Sequence, residues 1–419
     1  MNSDVKTILF LGIGGVSMHQ LALSLKTLDY KVLGYDANKN EYTKLCEENG
    51  IKVTDKFNKE FLQVDMCVKT GAISGGKYIS ELKKRGIDIV DRAEILGWLS
   101  SKFKNVIAVA GTHGKSTTAS LIYEILRLSG KNVSCHIGAD VYAARFNVKD
   151  EYLVIEACEY NKSFLSLFPT ISVVTNVEAD HIECYGSLFN LKNAFSVFLR
   201  RGKLRFVYNE KSTQYLSKIK DVNFVNKTNL NISPKIKGEH NLKNISLAIE
   251  VCKSLGIDDN YIISAVEGFK GVPRRYEFVG NYENKKIYID YAHHPTEISM
   301  FAQTFSNEHK NSLFVFQPHT YSRTKLLLKQ FIKVLSKIEN LIIYKEYPAR
   351  EKPWQGLSAY ELYLEIKKIN SKVKYCATSK SVIKNLKDFS NISFVGAGDI
   401  NLIAQKIVKS NWKKVLTNS

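Results

Sequence analysis

The sequence predicts an α/β protein in more than one domain, with parallel sheets covered by helices on both faces. Short β-branched runs alternate with amphipathic helical stretches along the whole chain, the pattern of parallel α/β architecture. Nearly every such run ends in a Gly-rich or polar loop, where ligands sit in open parallel sheets. The length, 419 residues, exceeds one hydrophobic core: at about 100–200 residues per domain, two to four domains follow.

The elements follow in order. KTILFLGIGG reads as a first strand and a tight turn, VSMHQLALSLKTLDY as a helix, and KVLGYD as a second strand. VIAVAGTHGK is a strand and loop opening into the helical STTASLIYEILRLSG. ISVVTNVEADH, IYIDYAHHP, LFVFQPHTY and ISFVGAGDI are strands that each run into polar or Gly-rich residues. Three blocks result: 1–103 with the first turn, 104–270 with the second loop and the helical HNLKNISLAIEVCKSLGI, and 271–419 from GVPRRYEFVG onward.

Composition excludes several classes. Hydrophobic residues at 44% and charged residues at 24% are ordinary for a soluble globular protein. The first residues read as a strand rather than a signal peptide, and no apolar stretch is long enough to span a bilayer. A cytoplasmic protein without membrane insertion is expected. The seven cysteines are scattered and include no C-x-x-C, which argues against a disulfide framework or structural zinc and for buried thiols. The net charge of +19 is spread over the chain with no compact basic tract. It reads as a solvated surface that draws in anionic small molecules, with no nucleic acid as partner.

Gly12, Gly14 and Gly15 lie between strand and helix in FLGIGGVSM. Glycines admit an anion close to the backbone, and the helix start offers free N–H groups. A dinucleotide pattern would have a third glycine at position 17, where Ser17 stands; Asp36, ending the second strand, suits a ribose hydroxyl. A phosphate or diphosphate ligand, an NAD-type cofactor and a plain packing turn all fit this stretch alone.

GTHGKST is nearly a phosphate-binding loop. The strict pattern wants glycine at position 109, which is Val109. The physical requirements are nevertheless present: a strand, the loop Gly111-Thr112-His113-Gly114, then Lys115, Ser116 and Thr117 at a helix start. Lys115 suits the β- and γ-phosphates, and the Ser116 hydroxyl suits Mg2+. Downstream, Glu156 ends the strand of YLVIEACEY and His181 follows the strand of VVTNVEADH. With Ser116 they form the candidate metal set, because Mg2+ takes few protein ligands plus phosphate oxygens. Asn241, Arg275, Asp290, Tyr291, His319 and Arg323 fall in further polar motifs, GEHNLKN, RRYEF, YIDYAHHPTE and FQPHTYSRTK. Arg275 and Arg323 suit phosphate or carboxylate.

In this order GTHGKS, TNVEADH, GEHN, RRYE and DYAHHPTE resemble the ATP-dependent Mur ligases of peptidoglycan synthesis. The stretches GIGGVSM, RAEILGWL, PHTYSRT, YPAREKP and VGAGDI are similar to the member that adds the first amino acid, and TGAIS at 70–74 is a looser match. The resemblance implies a three-domain Mur ligase architecture: a Rossmann-like N-terminal domain for the UDP-sugar, a central P-loop ATPase-like domain, and a Rossmann-like C-terminal domain. It implies ATP and Mg2+ as cofactors, UDP-N-acetylmuramic acid and L-alanine as substrates, an acyl-phosphate intermediate, and a monomer or weak homodimer. Among site residues it implies Lys115, His181, His319 and Arg323 in catalysis, with Asn241, Arg275 and Asp290 joining the loop 111–117 at ATP. Gly12, Gly14, Gly15, Ser17, Asp36, Tyr291 and Arg323 fall to the substrates, and Ser116, Glu156 and His181 to metal. Thr320 stands where relatives often carry arginine, and Cys158 where they carry a carboxylate. A related ligase for another amino acid or a peptide, or a non-catalytic nucleotide-binding regulator, are the alternatives.

Overall fold

The computed structural model describes residues 5–70, 73, 75–138, 146–349 and 351–417, with side chains described for all of these except 355 and 411–417. Residues 71, 72 and 74 of TGAIS and Arg350 of YPAREKP lie outside the described residues.

The chain forms three sheets in succession. The first holds β1 (Thr7–Leu11), β2 (Lys31–Tyr35), β3 (Lys52–Thr54), β4 (Met66–Lys69) and β5 (Asp88–Asp91), all parallel, in the order β3-β2-β1-β4-β5. The second holds β6 (Asn105–Ala110), β7 (Val133–His136), β8 (Tyr152–Glu156), β9 (Ile171–Val174), β10 (Leu204–Tyr208) and β11 (Asn223–Val225), again all parallel, in the order β11-β10-β9-β6-β8-β7. The third holds β12 (Glu277–Tyr282), β13 (Lys285–Asp290), β14 (Ser312–Phe316), β15 (Leu341–Tyr344), β16 (Lys374–Cys376) and β17 (Asn391–Val395), in the order β12-β13-β17-β14-β15-β16. Its edge departs from an all-parallel plan: β12 and β13 form an antiparallel hairpin, a common addition at the rim of a parallel sheet.

The central strands are apolar at consecutive positions because helices cover both faces. Ile8, Leu9 and Phe10 of β1, Ile107, Ala108 and Val109 of β6, and Val395 of β17 are all fully buried. The strand order reverses beside β1 in the first sheet and beside β6 in the second. At such switch points the helices leave on opposite faces and a crevice opens at the strand ends. Gly12 follows β1 and Gly111 follows β6, so both glycine loops sit at these crevices.

The chain divides into two compact units: residues 1–235 with 239–269, and residues 236–238 with 270–419. The first contains the first and second sheets. The helix Arg92–Ser100 helps to join them: a Cβ on its Gly97 would lie 2.1 Å from the Ser166 carbonyl oxygen, so only glycine permits this approach. All seven cysteines are unpaired thiols; Cys46, Cys67, Cys135, Cys252 and Cys376 are buried, and Cys158 and Cys184 partly so. Among the described residues no helix is long and apolar enough to cross a membrane.

Candidate active site

Val109 lies inside β6, fully buried, in register with Val173 of β9 and Glu156 of β8. The strand therefore continues through the position where the strict pattern wants glycine, and the loop begins at Gly111. Gly111 (φ +146°) and Gly114 (φ +82°) adopt backbone conformations that side chains disfavour. A Cβ would meet Thr175 Oγ1 at 1.8 Å from Gly111 and Asn244 Oδ1 at 2.3 Å from Gly114.

The residues after β9 hold this loop. Thr112 N–H donates to the Asn176 carbonyl (3.1 Å) and His113 N–H to Asn176 Oδ1 (2.9 Å). Thr175 Oγ1 and Asn176 Nδ2 both donate to the His113 carbonyl, and Glu178 N–H donates to Thr112 Oγ1. Two loop N–H groups are thus spent inside the protein. Thr118 N–H is bonded to Gly114 O, which leaves the N–H groups of Gly114 and of the first turn of the helix Lys115–Leu128, at Lys115, Ser116 and Thr117, as donors at the loop mouth, a place suited to an anion. Asn241 reaches Asn244, the neighbour of Gly114, with Oδ1 and Nδ2 3.4 Å apart.

Lys115 folds back over the loop. Its Nζ donates to the carbonyls of Gly111 (2.6 Å) and Thr112 (3.0 Å) and to Glu159 Oε1 (3.1 Å). Burial works against its charge, but Glu159, Cys158 and Glu156 outweigh burial and hold its pKa above the ordinary lysine value. Glu159 was not assigned a role from sequence; its place three residues after Glu156 in EACE was the available signal.

His181 takes a left-handed conformation (φ 52°) at the start of the helix Ile182–Tyr185. Its ring lies 3.6 Å from Asp180 Oδ2 and 3.4 Å from Glu183 Oε1. One ligand atom each from Glu159, Asp180 and His181 lie within 4.8 Å of one another. Glu156 stands apart from that trio at the end of β8, where its Oε2 accepts Gly138 N–H at 2.8 Å. The carboxylate oxygens and the Ser116 hydroxyl are the donors a hard divalent cation takes, so this oxygen set fits Mg2+, with the His181 imidazole the softer neighbour.

At the first turn the glycine N–H groups are all used internally. Gly12 and Ile13 donate to Tyr35 O, Gly14 to Asp36 Oδ2 (2.8 Å), and Gly15 to Gly12 O. Asp36, expected at a ribose, spends Oδ2 on Gly14 and Oδ1 on Asn38 N–H. Ser17, in the first turn of the helix Val16–Lys26, carries its hydroxyl between Arg92 and His136.

The second unit gathers the remaining candidates. Asp290, buried at the end of β13, accepts N–H bonds from Tyr276 and Ala292, each 2.7 Å; burial pushes its carboxyl up to about 6 against the pull of Arg275. Arg275 pairs with Glu297 at 3.3 Å, and Arg274 and Arg275 lie 4.7 and 5.3 Å from the Tyr291 ring centre. His319 stacks on Tyr347 and sits 3.3 Å from Arg323; burial and the Arg323 charge lower its pKa to about 4, so it is neutral at pH 7. Thr320 has φ +66°, a strained value for a β-branched residue.

Profiles of known families match in three consecutive stretches: the Mur ligase family catalytic domain over 7–104, the Mur ligase middle domain over 109–224, and the Mur ligase glutamate ligase domain over 274–403. Among curated proteins, the chain is 35% identical to a UDP-N-acetylmuramate–L-alanine ligase of Caldicellulosiruptor bescii, covering 96% of this chain and 98% of that one. It is 32% identical to the protein of the same name from Acetivibrio thermocellus, covering 96% of each. Among solved structures, a UDP-N-acetylmuramate–alanine ligase of Thermotoga maritima superposes with a TM-score of 0.82 at 24% identity, over 98% of this chain and 100% of that one. A murein peptide ligase of Psychrobacter arcticus gives 0.71 at 20% identity, over 97% and 98%. With its glycine loops at two switch points, three family profiles along its length and curated relatives covering 96% of it, the chain belongs to the Mur ligase family.

Proposed function

We propose that the chain is an ATP-dependent ligase that joins L-alanine to the lactyl carboxylate of UDP-N-acetylmuramic acid, a step of peptidoglycan precursor synthesis. Its kinship with relatives of that name, 35% identical over almost the full length of both chains, carries this reading. Residues 1–103 take the UDP-sugar, 104–270 take ATP, and 271–419 serve the amino acid. The reading carries a cytoplasmic place of action and a monomer or weak homodimer.

In this mechanism the carboxylate attacks the γ-phosphorus of ATP, an acyl phosphate forms, and ADP leaves. The amine of L-alanine attacks the acyl carbon, and the tetrahedral intermediate expels phosphate as the amide forms. Phosphoryl transfer of this kind depends on position and charge. Lys115 exchanges Glu159 for phosphate oxygens, while the N–H groups of Lys115, Ser116 and Thr117 bond the same anion. Mg2+, when bound, would offset the repulsion between carboxylate and triphosphate; Ser116 and the Glu159, Asp180 and His181 trio would hold it, with Glu156 beside them at the end of β8. Asn241, Arg275 and Asp290 serve the nucleotide. Tyr291, His319 and Arg323 serve the acyl phosphate and the amino acid, with neutral His319 able to accept a hydrogen bond from the incoming ammonium.

Phosphate release is the test, with ATP, Mg2+ and UDP-N-acetylmuramate against a panel of amino acids and a tripeptide. Release that depends on L-alanine is expected. Preference for the tripeptide moves the chain to the peptide-adding branch, and no ADP under any condition overturns the reading.

A further inference from the structure

The first glycine turn poses a problem for an anionic ligand, because the N–H groups of Gly12, Ile13, Gly14 and Gly15 all have acceptors within the protein. The helix Val16–Lys26 adds only its first few N–H groups, since His19 N–H is already bonded to Gly15 O. The missing charge stands beside it. Arg92 Nη1 donates to Ser17 Oγ at 2.6 Å, and Ser17 Oγ lies 2.8 Å from His136 Nε2. Among the described residues Arg92 has no carboxylate within ion-pair distance. It is nevertheless fixed at the opening of two helices, as the first residue of Arg92–Ser100 and against the first turn of Val16–Lys26. A cation is disfavoured at a helix start. An arginine held there without a carboxylate is placed for an anion from outside.

A guanidinium only donates, so Ser17 Oγ accepts from Arg92 Nη1. The hydroxyl, which keeps a second lone pair and its own proton, is bonded to Nε2 of a neutral His136 ring. The environment agrees: His136 is 4% exposed, and burial, Arg92 and His19 lower its pKa to about 3. One of the five guanidinium N–H groups is used in this way, which orients the planar group and leaves the others for a forked contact.

We infer that Arg92 binds the diphosphate of the nucleotide sugar, and that Ser17 and His136 are positioning residues that hold its guanidinium at the mouth of the first glycine turn. The inference rests on the UDP-sugar reading of the first domain. It gives a purpose to Ser17, which stands where a dinucleotide pattern has its third glycine. It also ties the first turn to the end of β7, two residues before Gly138, whose N–H is bonded to Glu156.

The test is calorimetric binding of UDP and of uridine to the whole protein, with steady-state kinetics beside it. Arg92→Ala weakens UDP by about tenfold or more and leaves uridine unchanged, as loss of a charge-assisted phosphate contact requires. Arg92→Lys, which keeps the charge without the fork, falls between them. Ser17→Gly and His136→Leu weaken UDP by roughly fivefold, whereas His136→Gln, whose amide can still bond the Ser17 hydroxyl, restores it. In these variants the KM for the nucleotide sugar rises, while the KM for ATP stays within about twofold. Equal UDP affinity in the wild type and in Arg92→Ala overturns the phosphate role. Equal losses in His136→Leu and His136→Gln overturn the positioning role. If the wild type binds no UDP, the ligase reading falls as well; if it binds UDP and the variants are flat, only this inference falls.

Discussion

Lys115 Nζ lies 3.0 Å from Glu159 Oε2, with the two side chains only 14% and 4% exposed. A buried ion pair contributes little net stability against apolar residues of the same shape, but losing one partner strands the other charge. Lys115→Met is therefore expected to cost about 3 kcal/mol of folding stability, with Lys115→Met/Glu159→Gln recovering most of it. Neither recovers activity: without the Lys115 charge, phosphate release falls about a hundredfold, roughly 3 kcal/mol of transition-state stabilisation. Denaturant titration and phosphate release measure the two effects separately. Near-normal turnover in Lys115→Met would remove the lysine from the mechanism.

Gly111 and Gly114 tie loop shape to nucleotide binding. Gly111→Ala meets Thr175 Oγ1 at 1.8 Å in a backbone conformation only glycine adopts easily. A loss of about 2 kcal/mol or more and a raised KM for ATP are expected. Thermal unfolding with and without ATP reads both, and an alanine variant as stable as the wild type contradicts the described loop.

His136 makes stability depend on acidity. Its ordinary pKa of 6.5 is lowered to about 3 in the fold, so between these values the unfolded chain binds the extra proton. Stability then rises with pH across that window; the contribution is complete above 6.5 and is lost as pH falls toward 3. It amounts to on the order of a few kcal/mol. His136→Gln has no such proton to bind, and its stability should fall less steeply from neutral pH to pH ~4. Parallel curves from chemical denaturation at several pH values would count against a neutral, buried His136.

Thr320 separates backbone strain from substrate contact. Thr320→Gly removes a side chain from a φ of +66° and is expected to leave stability unchanged or raise it by about 1 kcal/mol. Thr320→Arg, adding a guanidinium next to His319, is expected to shift the KM for L-alanine with little change in the KM for ATP. An amino-acid KM that does not move in the arginine variant places the position outside the pocket.

The sequence alone determined the class of architecture and where the polar motifs fall on its strands and helices. Continuous apolar runs such as ILFL and VIAVA can be satisfied only by strands buried on both faces, and the glycines and polar residues that follow mark where such strands end. That was sufficient to locate Lys115, Ser116, Glu156, His181 and Asp290, because each closes a strand or opens a helix. Partners were decided by the tertiary structure. Which carboxylate meets Lys115 depends on the placing of β8 next to β6, and Glu159 rather than Glu156 pairs with it. The edge hairpin of the third sheet, the internal use of the first turn's N–H groups and the contact of Ser17 with His136, 119 positions away, arise the same way. Local patterns fix conformation through short-range sterics and periodic burial. Hydrogen bonds and ion pairs between distant segments exist only after the sheets have assembled, and no spacing in the chain encodes them.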